Sequence, residues 1–173
     1  IDALMQTPFA GTSATVDAAL IEKIAVIGEK LSIRRFAIVE GTLSTYIHGT
    51  GTTGVIVKFV TDADVAGNAK FAEFAKNIAL QLAAGNPPEY VNIEDVPASA
   101  VEEEKATLIA QAKNDPKNAN KPDNILEKMV TGRLGKFYER VCLVEQAYVK
   151  DDDLTVGKYV AATAKELGFG IKI

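Results

Sequence analysis

The sequence holds no tryptophan, one cysteine and one histidine. A single Cys142 cannot close an internal disulfide, and one cysteine with one histidine cannot supply a structural zinc site. Within Val141-Cys142-Leu143-Val144 the thiol reads as a small buried hydrophobe, not a nucleophile, and the chain reads as intracellular. Positive charge is also scarce: 19 basic residues face 23 acidic ones, a net charge of −4. That balance leaves no basic face for nucleic acid phosphates. No apolar run approaches the roughly 20 residues that span a bilayer, and Ile1-Asp2-Ala3-Leu4-Met5-Gln6 lacks the basic start of a signal peptide. The first residue is not methionine, so we expect a processed or excised piece of a longer protein. What is present, 47% hydrophobic and 24% charged residues over 173 positions, suffices for one substantial core or two small ones. A protein partner or a small molecule is the expected ligand.

The lone histidine, His48, stands before Gly49-Thr50-Gly51-Thr52-Thr53-Gly54, which spells the G-x-G-x-x-G of dinucleotide-binding proteins. That fingerprint needs a helix after its glycines, because the pyrophosphate rests on the helix N-terminus. Here Val55-Ile56-Val57-Lys58-Phe59-Val60 follows and Leu43-Ser44-Thr45-Tyr46-Ile47-His48 precedes, both rich in strand formers. Two strands around a glycine turn make a hairpin, with glycines supplying positive φ and His48 at an exposed tip. No cofactor is expected. No lysine of a phosphate loop follows the glycines, and no serine elbow accompanies the histidine. Asp62 and Asp64, and the run Asp151-Asp152-Asp153, lack the alternating ligands of a calcium loop and read as turn and helix N-terminal residues. No metal site and no enzyme chemistry are expected.

Residues Thr15 to Ile33 and Thr155 to Ile173 align without a gap at an offset of 140, with Thr15/Thr155, Val16/Val156, Gly28/Gly168 and Ile33/Ile173 identical. Each copy predicts a capped helix, a glycine past its end and a strand. Between the copies, Ser32 to Glu40, Leu43 to His48 and Gly54 to Val60 predict three strands in an antiparallel meander. Phe71, Phe74, Ala75, Ile78 and Leu82 form an apolar stripe on a helix from about Gly67 to Ala84, ended by Gly85-Asn86-Pro87-Pro88. From Val96 to about Tyr138 the pattern is two helices broken at Asn114 to Pro122. Val101, Leu108, Ile109 and Ala112 mark one apolar side; Ile125, Met129, Val130, Leu134 and Phe137 mark the other. Glu102-Glu103-Glu104 would lie on the wet face. Val141 to Val144 then reads as a short strand and Lys150 to Asp153 as a polar turn. The expected class is α+β: a three-stranded antiparallel sheet covered by helices, with an inserted antiparallel helical hairpin.

Three stretches of the chain resemble the elongation factor Ts family of bacteria and organelles. They are Ile27 to Phe36, Tyr46-Ile47-His48-Gly49, and Glu127 to Tyr138 continuing through Val144 to Asp151, in the family's order and spacing. Pro88-Glu89-Tyr90-Val91 and Glu94 to Ala98 are similar to the entry into that family's dimerisation and coiled-coil insertion. Ala147-Tyr148 departs from the Pro-Phe of many relatives, and Lys150 from the methionine of some.

The resemblance implies a guanine nucleotide exchange factor for elongation factor Tu, without covalent chemistry, acting in the cytoplasm or an organellar matrix. It implies that residues 1–33 end an N-subdomain, that 34–90 with 145–173 form a C-subdomain, and that 91–144 are the helical insertion. It places Ile27 and Gly28 near the partner's nucleotide-binding domain, and His48, Val149 and Lys150 near its third domain. The family's Thr-Asp-Phe-Val motif would lie upstream of Ile1. Thr61-Asp62-Ala63-Asp64-Val65 echoes it, but Ala63 replaces the aromatic wedge, so that role is not transferred. Two rival readings stay open. One is a dimerisation module in which Cys142 and the hairpin pair with a second copy; the other is a small-molecule enzyme using the glycine loop and His48.

Overall fold

A computed structural model describes residues 1–84, 86–118 and 121–173. Gly85, expected at the end of a helix, and Ala119 and Asn120, expected in the inter-helix loop, lie outside the described residues. The chain divides into two compact units, Ile1–Glu40 and Gly41–Ile173.

The first unit holds a short helix α1 (Asp2–Met5) and a twelve-residue helix α2 (Val16–Ile27). A turn held by Phe9 N donating to Ala14 O at 2.8 Å and Val16 N to Thr7 O at 2.9 Å leads into α2. Thr15 caps that helix through its side chain, which accepts from Ala18 N, and Gly28 ends it at φ 78°. A left-handed residue after the last turn lets its N–H reach back to a helix carbonyl, and glycine adopts that φ without steric cost. Residues 32–40 form no strand, contrary to the meander reading. Their alternating Phe36 and Ile38 fit an extended chain, but a strand also needs a ladder partner, and among the described residues they have none.

In the second unit, strands β1 (Thr42–His48) and β2 (Thr53–Thr61) pair antiparallel from Thr42↔Phe59 to His48↔Thr53. Helix α3 (Ala69–Ala84) covers one sheet face. Two helices follow, α4 (Ala98–Asn114) and α5 (Asp123–Val141), then a two-stranded ribbon of β3 (Ala147–Tyr148) and β4 (Asp151–Thr155). Helix α6 (Val156–Leu167) and strand β5 (Ile171–Lys172) end the chain. The sheet order is β1-β2-β5, all antiparallel, so the third strand comes from the C-terminal end instead of residues 32–40. Asp62 supports that junction by accepting from Gly170 N at 2.8 Å.

The main core joins Val57 and Phe59 of β2 to Phe71, Phe74, Ala75, Ile78 and Ala79 of α3, with Leu143, Tyr148, Val156 and Ile171. Each fully buried large apolar side chain there contributes about 1.5–3 kcal/mol. Phe59 meets Phe71 edge-on at 5.5 Å between centroids. A second cluster unites α4 and α5 through Leu108, Val130, Leu134, Phe137 and Val141, with Val96 and Cys142 at its base. On α5 Leu126 is buried at 4% exposure while Ile125 is 44% exposed, so the inward register of that helix starts one residue later than its apolar spacing suggested. Glu102 and Glu103 are exposed and Glu104 is half-buried beside Arg140, 3.5 Å away.

Two short segments also differ from expectation. Val141 to Val144 is not a strand: α5 continues to Val141, Cys142 N donates to Tyr138 O at 2.8 Å, and Leu143–Glu145 forms a 3-10 turn. Its backbone is satisfied instead by residues 89–91, with Tyr90 N reaching Val141 O and Leu143 N reaching Tyr90 O, both at 2.9 Å. Of the predicted turn at Lys150 to Asp153, only Lys150 turns, together with Val149 before it; Asp151–Thr155 is β4, held by Ala147↔Thr155 and Tyr148↔Asp151.

The repeat is structural in its helices. Thr155 accepts from Lys158 N as Thr15 does from Ala18 N, and Gly168 stands at φ 79° against 78° at Gly28. Both helices are twelve residues long. The strand after the cap is present in the second copy only.

Candidate functional site

Ile27 closes α2 and is 55% exposed. At Gly28 an added Cβ would meet no heavy atom within 4 Å, so the glycine answers to the cap's φ and leaves open backbone on the surface. Ile27 and Gly28 belong to the first unit, and the other three site residues to the second.

His48 ends β1. The turn after it uses positive φ at Gly49 (57°) and Gly51 (95°), with Gly51 N donating to His48 O at 3.1 Å. Gly54 sits inside β2 without positive φ. A strand, not a helix, therefore follows the glycine run. His48 is exposed and shares a sheet face with Tyr46, two residues back. Its Nδ1 lies 3.4 Å from the Tyr46 hydroxyl. The two rings lie 6.0 Å apart between centroids, tilted by 45°.

Val149 and Lys150 form the turn between β3 and β4, and α3 holds that turn through two carboxamides. Gln81 Oε1 accepts from Val149 N at 2.7 Å, while its Nε2 donates to Ala147 O at 3.1 Å. Asn77 Oδ1 accepts from Lys150 Nζ at 2.7 Å, and Asn77 Nδ2 donates to the Tyr159 hydroxyl at 3.0 Å. The ring of Tyr159 stacks on Tyr148, 4.3 Å between centroids and 13° from parallel. Burial, then hydrogen bonding with Tyr159 and the nearby charges of Glu73 and Asp151, pushes the Tyr148 phenol well above its ordinary range. Val149 itself is 47% exposed.

Among the described residues, no hydrogen bond or ion pair joins His48 to the Val149–Lys150 turn. Both nevertheless depend on one scaffold, since β1 and the turn each pack on α3. Asn77, Gln81 and Tyr159 were not singled out from sequence. The available signal was two carboxamides at i and i+4 beside the apolar stripe of α3, a polar pair on a buried face.

The remaining candidates have structural roles. Asp64 Oδ1 accepts from Ala66 N at 2.9 Å and Asp151 Oδ1 from Asp153 N at 3.2 Å, as turn residues do. Cys142 is fully buried, its Sγ 3.6 Å from Asn92 O, and burial raises its thiol pKa, so it presents no thiol to a second chain. Among the described residues no helix is long and apolar enough to cross a membrane.

The family model described as Elongation factor TS matches residues 1–171. Among curated relatives, "Elongation factor Ts" of Trichlorobacter lovleyi is 44% identical, covering 100% of this chain and 56% of its own length. That of Magnetococcus marinus is 41% identical over 100% and 55%, and that of Clostridioides difficile 44% over 92% and 50%. The chain spans about half the length of the curated relatives it matches. With a model match over nearly every residue, the chain belongs to the elongation factor TS family.

Proposed function

We propose that this chain is the part of an elongation factor Ts that docks on elongation factor Tu and, within the whole factor, promotes GDP release. Residues 1–33 serve as the end of the N-subdomain, 34–90 with 145–173 as the C-subdomain, and 91–144 as the helical insertion. The observation that carries the reading is the pair of exposed tips, His48 and Val149, each fixed by hydrogen bonds to a well-packed sheet and helix. Rigid, solvent-facing tips on a stable core suit docking, because little side-chain and loop ordering remains to be done on binding. Ile27 and Gly28 add an apolar side chain and open backbone at a helix end.

An exchange factor makes and breaks no covalent bond. It binds the nucleotide-free GTPase more tightly than the GDP-bound form, and linkage requires GDP to weaken its binding by the same ratio. Such a protein works in the cytoplasm or an organellar matrix, where its partner is found.

Calorimetry with nucleotide-free elongation factor Tu tests the docking role. The chain should bind, and His48→Ala should weaken binding by about 1–3 kcal/mol, the range of a central interface anchor. Unchanged affinity in His48→Ala removes that residue from the interface. Fluorescent GDP release measured with this chain and with the full-length factor then assigns the exchange step.

A further inference from the structure

Asn77 and Gln81 are 8% and 3% exposed. Four residues apart on α3, they share one helix face a single turn from each other. Polar groups at that depth need partners, and both find them at the same place, the β3–β4 turn. The Gln81 carboxamide accepts from Val149 N and donates to Ala147 O, pairing with the backbone much as a neighbouring strand would. Asn77 takes the Lys150 ammonium and returns a hydrogen bond to Tyr159, whose ring stacks on Tyr148 inside the same ribbon. Their neighbours on α3, Phe74, Ile78 and Ala79, are apolar members of the core. The carboxamides add geometry that leucine could not.

We infer that Asn77 and Gln81 are positioning residues that hold the Val149–Lys150 turn in its docking shape, an assignment that rests on the docking reading above. The Lys150 ammonium is tied back to Asn77, and Val149 stands 47% exposed at the turn. A turn without its clamp samples many shapes, and apparent affinity falls with the fraction that is competent. A competent fraction of about one tenth raises Kd about tenfold.

The test is calorimetry of the full chain and its variants with nucleotide-free elongation factor Tu, beside amide hydrogen exchange and thermal unfolding of the free chain. Gln81→Leu and Asn77→Leu should each raise Kd about tenfold and speed exchange at the Val149 amide, with the thermal midpoint little changed. Asn77→Asp, which keeps an acceptor for Lys150 and can accept from Tyr159, should bind as the parent does. Val149→Ala should weaken binding as strongly as the leucine variants. If Val149→Ala weakens binding but the leucine variants do not, the positioning assignment is overturned and the docking reading stands. If Val149→Ala has no effect, the docking reading of this turn fails, and the assignment with it. Should Gln81→Leu fail to fold, Gln81→Glu must show the same loss, because its second oxygen faces the Ala147 carbonyl.

Discussion

Tyr148 is 6% exposed, stacked on Tyr159 and close enough to Glu73 and Asp151 to feel their charge. Every one of these influences disfavours the phenolate, so the folded state holds the phenol proton at a pH where the unfolded chain releases it, from about 10 upward. The sign follows from linkage: a raised native pKa contributes stability that is complete below the unfolded pKa and is lost as pH rises through the native one. Urea unfolding at pH 9 and pH 11 should therefore show a marked fall in stability. In Tyr148→Phe the fall should be smaller, since the group that titrates is gone; equal falls in both proteins would remove Tyr148 as the cause. His48 illustrates the other limit of single-residue reasoning. Its exposure at a hairpin tip was readable from the strand-forming residues on either side, but the 3.4 Å approach of the Tyr46 hydroxyl to its Nδ1 was not.

At the scale of elements, local signals were legible and distant ones were not. Thr15 and Gly28, and Thr155 and Gly168, mark helix ends whose caps are made within four residues, so the sequence carries their whole cause. The stripe on α3 is equally local. The third strand is different: the repeat predicts a strand after Gly168, but nothing local says that β5 pairs with Val60 and Thr61, more than a hundred residues away. The carboxamide clamp spans 68 and 73 residues and was invisible for the same reason. On α5 the apolar residues Ile125 and Leu126 are adjacent, and only tertiary packing decides which turns inward. That choice predicts an asymmetric result. Leu126→Ala, creating a cavity, should destabilise the hairpin by about 2–5 kcal/mol. Ile125→Ala, at a 44% exposed site, should change it by about 0.5 kcal/mol or less. Denaturant unfolding of both variants decides the register; equal losses would contradict it.

For the whole molecule, the decisive fact is that both apolar clusters lie within Gly41–Ile173. Residues 1–40 contribute no buried side chain: Ile21, Val26, Ile27, Phe36 and Ile38 are all more than 45% exposed. Hydrophobic burial dominates folding, so the second unit contains the means of its own stability. A chain of residues 41–173 should unfold cooperatively, with a midpoint within a few degrees of the full chain's; non-cooperative melting would show that the first unit is needed. The same truncation separates the two groups of proposed contact residues, because it removes Ile27 and Gly28 while leaving His48, Val149 and Lys150 on their scaffold. If docking is shared between the groups, the truncated chain should bind elongation factor Tu more weakly than the full chain, yet still respond to Val149→Ala by the same factor. Contacts that lie on separate units and share no partner should contribute additively. A truncated chain that binds but no longer responds to Val149→Ala would mean that the turn docks only when the first unit is present, and that the two groups form one coupled interface.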